Sequence, residues 1–326
     1  MFSVTNNRGF VPQSEQFEDR EMVGEDIQAY KVIEKGDFAY NPARINVGSI
    51  AKYEGNEKCM ISSLYVCFKV IDSIDRNWFM HLLKTPKMNF YYNLNGEGGV
   101  RVYLFYPNFA RIRSSYPSLV EQKKIAAMLS LIDERIATQI KIIEEQETLL
   151  KSLADRLISS QVANVALNDC VVAKASTMKE SELEPSGAFP VYGASGLCGF
   201  SSEALEESDS ILVTKDGSGV GTCQYAAGEH SFLGTLCSLT AKKDVYLPYI
   251  YYALLNFNFA SYKTGLAIPH IYFKDYGKAS IFCPSYDEQV RIASGLERLD
   301  AKISTDRELL KRFHLQKGYL LSHMFI

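Results

Sequence analysis

One repetition constrains this chain more than any other feature. Pro117 to Ala126 reads Pro-Ser-Leu-Val-Glu-Gln-Lys-Lys-Ile-Ala, and Pro284 to Ala293, 167 residues later, reads Pro-Ser-Tyr-Asp-Glu-Gln-Val-Arg-Ile-Ala. The register continues without a gap through Leu129 and Leu296, Asp133 and Asp300, and Ile136 and Ile303. Self-similarity over this length makes each copy the same supersecondary unit, used twice. Upstream the likeness weakens but keeps its order. Phe2-Ser-Val faces Phe189-Pro-Val, Gly36-Asp37-Phe38 faces Ser208-Asp209-Ser210, and Val47-Gly48-Ser49 faces Val220-Gly221-Thr222. Each copy then has an apolar stretch (Cys59 to Val70; Phe232 to Thr240), a short helical stretch (Trp78 to Leu83; Pro248 to Leu255) and a Gly-containing loop (Asn95 to Gly99; Thr264 to Pro269). Val162 to Ala188 belongs to the second copy alone. The first copy is therefore expected to be short at its N-terminus, or to be completed by segments near the C-terminus.

The repeated segment reads as a helix with a defined start. Ser118 and Ser285 each stand three residues before a glutamate, Glu121 and Glu288. This is the capping-box spacing, in which the Ser hydroxyl accepts from the N3 amide and the Glu reaches back to the N-cap amide. Pro117 and Pro284 keep the helix from extending backwards. Beyond the cap, seam positions follow a 4-3 spacing: Ile125, Leu129, Ile132, Ile136, Gln139, Ile143, Gln146, Leu150, Leu153 and Leu157 in the first helix. The second shows Ile292, Leu296, Leu299, Ile303, Asp306, Leu310, Phe313, Lys317 and Leu320. A heptad seam this long is a coiled-coil signature. Its polar interruptions fall on matched positions, Gln139 and Asp306, where a polar residue fixes register or partner at some cost in stability. The first helix, from Leu119 to about Ser159, would be roughly 60 Å long at about 1.5 Å per residue. Two such helices in one chain most simply pair with each other.

Composition excludes several classes. At 326 residues the chain exceeds what one core usually serves. Seven cysteines, odd in number and without a C-x-x-C pair, argue against a zinc site or a disulfide framework and fit a reducing cytoplasm. Without an apolar run near the ~18 residues that a span requires, the expectation is a cytoplasmic protein with no membrane contact. The net charge of −3 is unlike that of a simple nucleic-acid binder, so any DNA contact must come from local patches or be shared with a partner. The expected organisation is α+β, a tandem of strand-rich modules: 1–117, 118–160 as the first long helix, 161–284, and 285–326 as the second.

Enzyme motifs are scarce. Gly217-Ser218-Gly219-Val220-Gly221 resembles a phosphate-cradling loop but lacks the G-x-G-x-x-G spacing and a following helix, so it reads as a hairpin turn. No Walker lysine, H-E-x-x-H or G-x-S-x-G motif is present, and no metal site is expected. There remains a set of basic and amide side chains among aromatics in loops. The first module has Asn6, Arg8, Arg44, Asn46, Lys52, Arg101, Arg111 and Arg113; the second has Lys174, Lys179, Lys215, Lys263, His270, Lys274 and Lys278. Such side chains read guanine and adenine edges or grip phosphate. Each is individually also an ordinary surface group. A scaffold whose modules bind proteins through these loops is the alternative reading, and an enzyme built on the Gly217 to Gly221 loop is a third.

The paired motif Pro-x-x-x-Glu-Gln-x-x-Ile-Ala-x-x-Leu-x-x-x-Asp-x-x-Ile, at Pro117 to Ile136 and Pro284 to Ile303, resembles the specificity (HsdS) subunit of type I restriction-modification systems. Asp209 to Val213 and Gly265 to Ile271 also resemble stretches of that family's target-recognition domains. The resemblance implies two recognition domains, each reading half of a split double-stranded DNA target in the major groove, with antiparallel helices setting the gap. It implies a non-catalytic chain without cofactors of its own. Two methyltransferase subunits would use S-adenosylmethionine, restriction subunits would use ATP and Mg, and self-association is possible within such assemblies.

Overall fold

The computed structural model describes residues 1–16, 29–98, 102–265 and 268–325. The chain divides into two compact units, Met1–Ile140 with Leu309–Ile326, and Lys141–Glu308. Each unit combines one strand-rich module with parts of both long helices.

In the first unit, the strands Phe2–Thr5 and Gly9–Pro12 form a hairpin, and Phe2–Thr5 also runs parallel to Cys59–Ile61, which pairs with Lys31–Ile33. A second sheet has the order Ile50–Lys52, Phe38–Tyr40, Val66–Phe68, all antiparallel. The core joins Phe38, Tyr40, Ile45 and Ile50 to Trp78, Leu82 and Leu83 of the helix Arg76–Leu83, and to Met88 and Tyr92 of the helix Pro86–Asn95. This second short helix was not foreseen, although Thr85 caps it and Pro86 opens it.

The same design recurs in the second unit. Phe189–Gly193 forms a hairpin with Gly196–Ser201 and lies parallel to Ser231–Phe232. The larger sheet has the order Cys223–Ala226, Ser210–Thr214, Leu236–Ala241, Val171–Ala175. Its fourth strand comes from the segment that only the second copy has. The pairings put Phe2 and Phe189 in equivalent strands. Gly217 to Gly221 turns between Ser210–Thr214 and Cys223–Ala226, where Thr214 N donates to Thr222 O (2.9 Å) and Gly221 N to Thr214 O (2.9 Å). Gly221 has φ +90°, and a Cβ there would sit 2.7 Å from that of Phe259.

The long helices span Leu119–Ala154, continued by a π-helical turn Asp155–Ser159, and Tyr286–His323. They pair antiparallel. In the first unit Asp133 is bridged by Lys317, while Ala126 and Leu129 share a core with Phe325. In the second unit Gln146 Nε2 donates to Asp306 Oδ2 (2.9 Å) and Arg307 bonds Glu147 (2.6 Å). Leu129, Ile132, Ile136, Gln139, Ile143 and Leu150 are buried along the first helix, as are Ile292, Leu296, Ile303 and Asp306 along the second, with Ile125 and Leu299 half-buried. At the end of the first helix the seam departs from the heptad reading. Leu157 is 40% exposed, whereas Ala154 and Ile158 are buried. The π turn adds a residue to the local repeat and advances the buried face by one position.

The C-terminal turns close the first module. Leu320, Leu321 and Met324 pack on its core, and Phe325 is buried with its ring 5.6 Å from that of Trp78. The second module has a related seal, since Asn256 Nδ2 donates to Lys151 O (2.8 Å) at the end of the first long helix.

Candidate nucleic-acid interface

Three of the first module's candidate residues are positioned by short turns. Asn6 and Arg8 stand in the hairpin turn before Gly9, whose φ is +65°. Arg44 follows an Asn turn in which Asn41 Oδ1 accepts from Ala43 N (3.0 Å) and Asn41 O from Arg44 N (3.0 Å). These three side chains line one cavity of about 650 Å³ together with Asn7, Gln13 and Asn41. Arg8 is held by Glu15 (2.7 Å) at its rim. Asn46 is turned to Asn93, to whose Oδ1 it donates (3.1 Å). Lys52 is spent internally: its side chain is only 10% exposed and engages Glu54 and Asn77. Arg101 lies outside the described residues.

In the second module the turn after Thr214 is zipped to the loop that ends at His270. Gly217 N donates to Pro269 O (3.0 Å), Ile271 N to Lys215 O (2.9 Å), and His270 pairs across with both Asp216 and Thr264. This brings Lys215 and His270 together, with Lys263 at the start of the same loop. His270 meets Tyr272 edge-on at 5.2 Å, and Lys274 Nζ stands 5.2 Å over the Tyr272 ring. Tyr272 escaped the sequence reading, although its position between His270 and Lys274 was a usable signal. Lys174 is separate; it donates to Leu205 O and stands 3.8 Å from Glu206.

Buried polar groups supply the framework. His230 is fully buried, with Nε2 2.8 Å from Ser210 Oγ and Nδ1 2.8 Å from Gly228 O. Asp209 accepts from Gly228 N (2.8 Å) and Tyr225 Oη (2.7 Å), and these bonds hold its carboxyl below the usual carboxylate value. A depressed carboxylate stabilises the fold above its unfolded pKa of about 3.9, and the contribution is lost as pH falls through the lower folded value. Asp209→Asn is therefore expected to lower the second module's melting temperature at pH 7, with a smaller gap to wild type at pH 3. Calorimetry at the two pH values checks this.

The helix starts differ between copies. Ser118 N and Oγ both donate to Glu121 Oε2 (3.1 and 2.8 Å), and Glu121 N donates to Ser118 Oγ (3.4 Å). In the second copy Glu288 is taken by Arg291, at 2.9 and 2.6 Å, instead of reaching back to Ser285. The two-bond guanidinium grip of Arg291 outcompetes the single amide bond at the cap, whereas the first copy has Lys124 at that position.

The following residue performs the same task in both copies. Gln122, fully buried, accepts from Asp75 N (2.7 Å) and donates to Ser73 O (3.2 Å) and Pro117 O (2.9 Å). Gln289 accepts from Tyr246 N (2.9 Å) and donates to Pro284 O (2.9 Å). Asp75 and Tyr246 are the N-cap residues of Arg76–Leu83 and Leu247–Leu255. Each glutamine thus ties the start of its module's short helix to the start of the long one. Among the described residues no group of three His, Cys, Asp or Glu side chains is placed to hold a metal, and no helix is long and apolar enough to cross a membrane.

Two strand-rich modules, each followed by a long helix that pairs with the other, define the class of protein. Residues 160–312 match the family described as the type I restriction modification DNA specificity domain. The chain is thus similar to the type I specificity family over just under half of its length. It is 25% identical over 227 residues to a putative type I specificity subunit of Mycoplasma genitalium, a match covering 63% of this chain and 59% of that protein. Over 126 residues it is 21% identical to the EcoprrI type I restriction enzyme specificity subunit of Escherichia coli, covering 39% of this chain and 31% of that one. The matched stretches thus span less than two thirds of the length of either relative. The crystal structure of a type I restriction-modification S subunit from M. genitalium has the same fold, with a TM-score of 0.65 at 19% identity over 90% of this chain and 83% of that one.

Proposed function

We propose that the chain is the DNA sequence-specificity subunit of a type I restriction-modification complex and reads a bipartite target. The observation that carries this reading is the duplication of one module-and-helix design under unlike loops, one gathering Asn6, Arg8 and Arg44, the other Lys215, Lys263, His270 and Lys274. Modules 1–117 and 161–284 each read one half-site in the major groove, and the helices 118–160 and 285–326 set the gap. Two methyltransferase subunits dock on this frame and supply S-adenosylmethionine chemistry; restriction subunits supply ATP- and Mg-dependent cleavage. The chain itself is non-catalytic and works in the cytoplasm. Sharing phosphate contacts with these partners reconciles DNA binding with a net charge of −3.

A randomised duplex library selected with the chain and its methyltransferase subunit is expected to return two short sequences at a constant gap. Selection of no sequence, with the modules retaining a protein partner instead, would favour a scaffold role. Within the complex, Arg44→Ala and Lys274→Ala separate base from phosphate contact. A lost base contact costs about 1–3 kcal/mol at one position of the target. A lost phosphate contact weakens all sequences alike and reduces the steepness of the salt dependence by about 0.9.

A further inference from the structure

One loop construction recurs in both modules. In the first, Glu97 and Tyr103 exchange two backbone hydrogen bonds (2.8 Å each); in the second, Thr264 and His270 do the same (2.9 and 2.8 Å). The matched residues lie 167 apart, the spacing of the helix repeat. The next residue is fully buried in both copies, Leu104 and Ile271, and its amide ties the loop to the module's second sheet. Leu104 N donates to Pro42 O (3.0 Å), just beyond the strand Phe38–Tyr40, and Ile271 N donates to Lys215 O (2.9 Å), directly after Ser210–Thr214. Phe105 and Tyr272 come next. Each is 48% exposed and is the N-cap residue of a four-residue helix, Tyr106–Phe109 or Phe273–Tyr276, to which its side chain makes no bond. The Phe105 ring lies parallel to that of Tyr103 with centres 6.2 Å apart, and Tyr272 meets His270 at 5.2 Å. A single exposed ring is ordinary. Two at one position of a repeat, each set by a buried neighbour beside a turn that carries a cation, Arg44 or Lys215, point to one shared use.

We infer that Phe105 and Tyr272 are specificity-determining residues, each laying its ring against the C5-methyl of a thymine in its module's half-site. This rests on the function proposed above and names a base that each half-site contains. Base edges in the major groove carry hydrogen-bond donors and acceptors, and the apolar group they present is the thymine methyl. Phe105 has no donor or acceptor, so in that groove its ring gains from the methyl and from nothing else on a base edge. Tyr272 offers the same ring periphery, with Lys274 Nζ 5.2 Å over one face. The cations nearby have the complementary task. Arg44, two residues beyond Pro42, and Lys215, Lys263 and Lys274 around the second loop attract phosphate, which fixes register without reading sequence. The rings then read what the charges cannot.

The test uses the full chain with its proposed methyltransferase subunit and the split duplex that the wild-type complex selects. Kd is measured as each thymine in turn is replaced by deoxyuridine, which lacks only the methyl. In wild type, one replacement in each half-site is expected to weaken binding about four-fold, the worth of one buried methyl. Phe105→Ala is expected to abolish that effect in one half-site and leave it in the other, and Tyr272→Ala the reverse. Tyr272→Phe should retain it, since the ring remains. Circular dichroism checks that each variant is folded, and Phe105→Leu or Tyr272→Leu replaces an alanine variant that is not. Wild-type binding indifferent to every methyl would overturn the inference, as would ring-deleted variants that keep full sensitivity in both half-sites. Failure of the wild-type complex to select any split duplex would instead overturn the proposed function, and this contact with it.

Discussion

Ending the chain after Tyr319 is expected to unfold the first module and leave the second folded. The deletion removes Leu320, Leu321 and Met324, which pack on the first core, and Phe325, which is 6% exposed against Trp78. Losing a buried Phe costs about 3–5 kcal/mol once the cavity is counted. Three half-buried aliphatic side chains add about 1 kcal/mol each, taking buried side chains as worth roughly 1.5–3. The total, about 6–8 kcal/mol, equals or exceeds much of the ~5–15 kcal/mol that holds a typical domain together. Hydrogen exchange followed by mass spectrometry would read the two modules separately. Protection should fall at Phe38–Tyr40 and Arg76–Leu83 and persist at Ser210–Thr214 and Leu247–Leu255. Phe325→Ala alone should produce the same pattern at smaller amplitude. Equal protection in the truncated and intact chains would show that the C-terminal turns do not belong to the first core.

The second large effect is expected at the paired glutamines. Gln122→Met keeps the side-chain volume but removes one acceptor and two donors, leaving Asp75 N–H, Ser73 C=O and Pro117 C=O without that partner. An unsatisfied buried group costs about 1–3 kcal/mol, so a loss of about 3 kcal/mol is expected for the first module. Gln289→Met removes two bonds, to Tyr246 and Pro284, and should cost about 2 kcal/mol on the same basis. Thermal unfolding of each variant checks the order, Gln122 above Gln289. Equal or negligible effects would mean that the glutamine of the motif is not the joint between the two helices of each copy.

These two residues also mark how much the sequence could disclose. The Glu-Gln pair was visible as a repeat, but only its Glu had a local rationale, because capping is decided within four residues. The glutamine acts across 47 residues on Asp75 and 43 on Tyr246, and no local pattern announces such a bond. The long helices and the main strands were legible because periodicity of 3.5 and 2 reports burial directly. The shift from Leu157 to Ile158 was not legible, since a π turn leaves no periodic mark. Nor was the diversion of Glu288 to Arg291, a competition between two partners for one carboxylate. Among the candidate interface residues, charge and loop position were readable, but which ones share a surface was not. Lys52 and Lys174 are engaged by their own modules, while Lys215 and His270 meet only because Gly217 N bonds Pro269 O and Ile271 N bonds Lys215 O.

The proposed function gives one half-site to each module, and adenine methylation mapped genome-wide in cells making the chain with the proposed methyltransferase subunit tests that most directly. Wild type is expected to give one split motif with a fixed gap. A chain in which residues 161–284 are replaced by the corresponding module of another specificity subunit is expected to change one half of that motif and preserve the other half and the gap. A motif that is continuous, that changes in both halves, or that is the same with and without this chain would contradict two independent readers on a shared pair of helices.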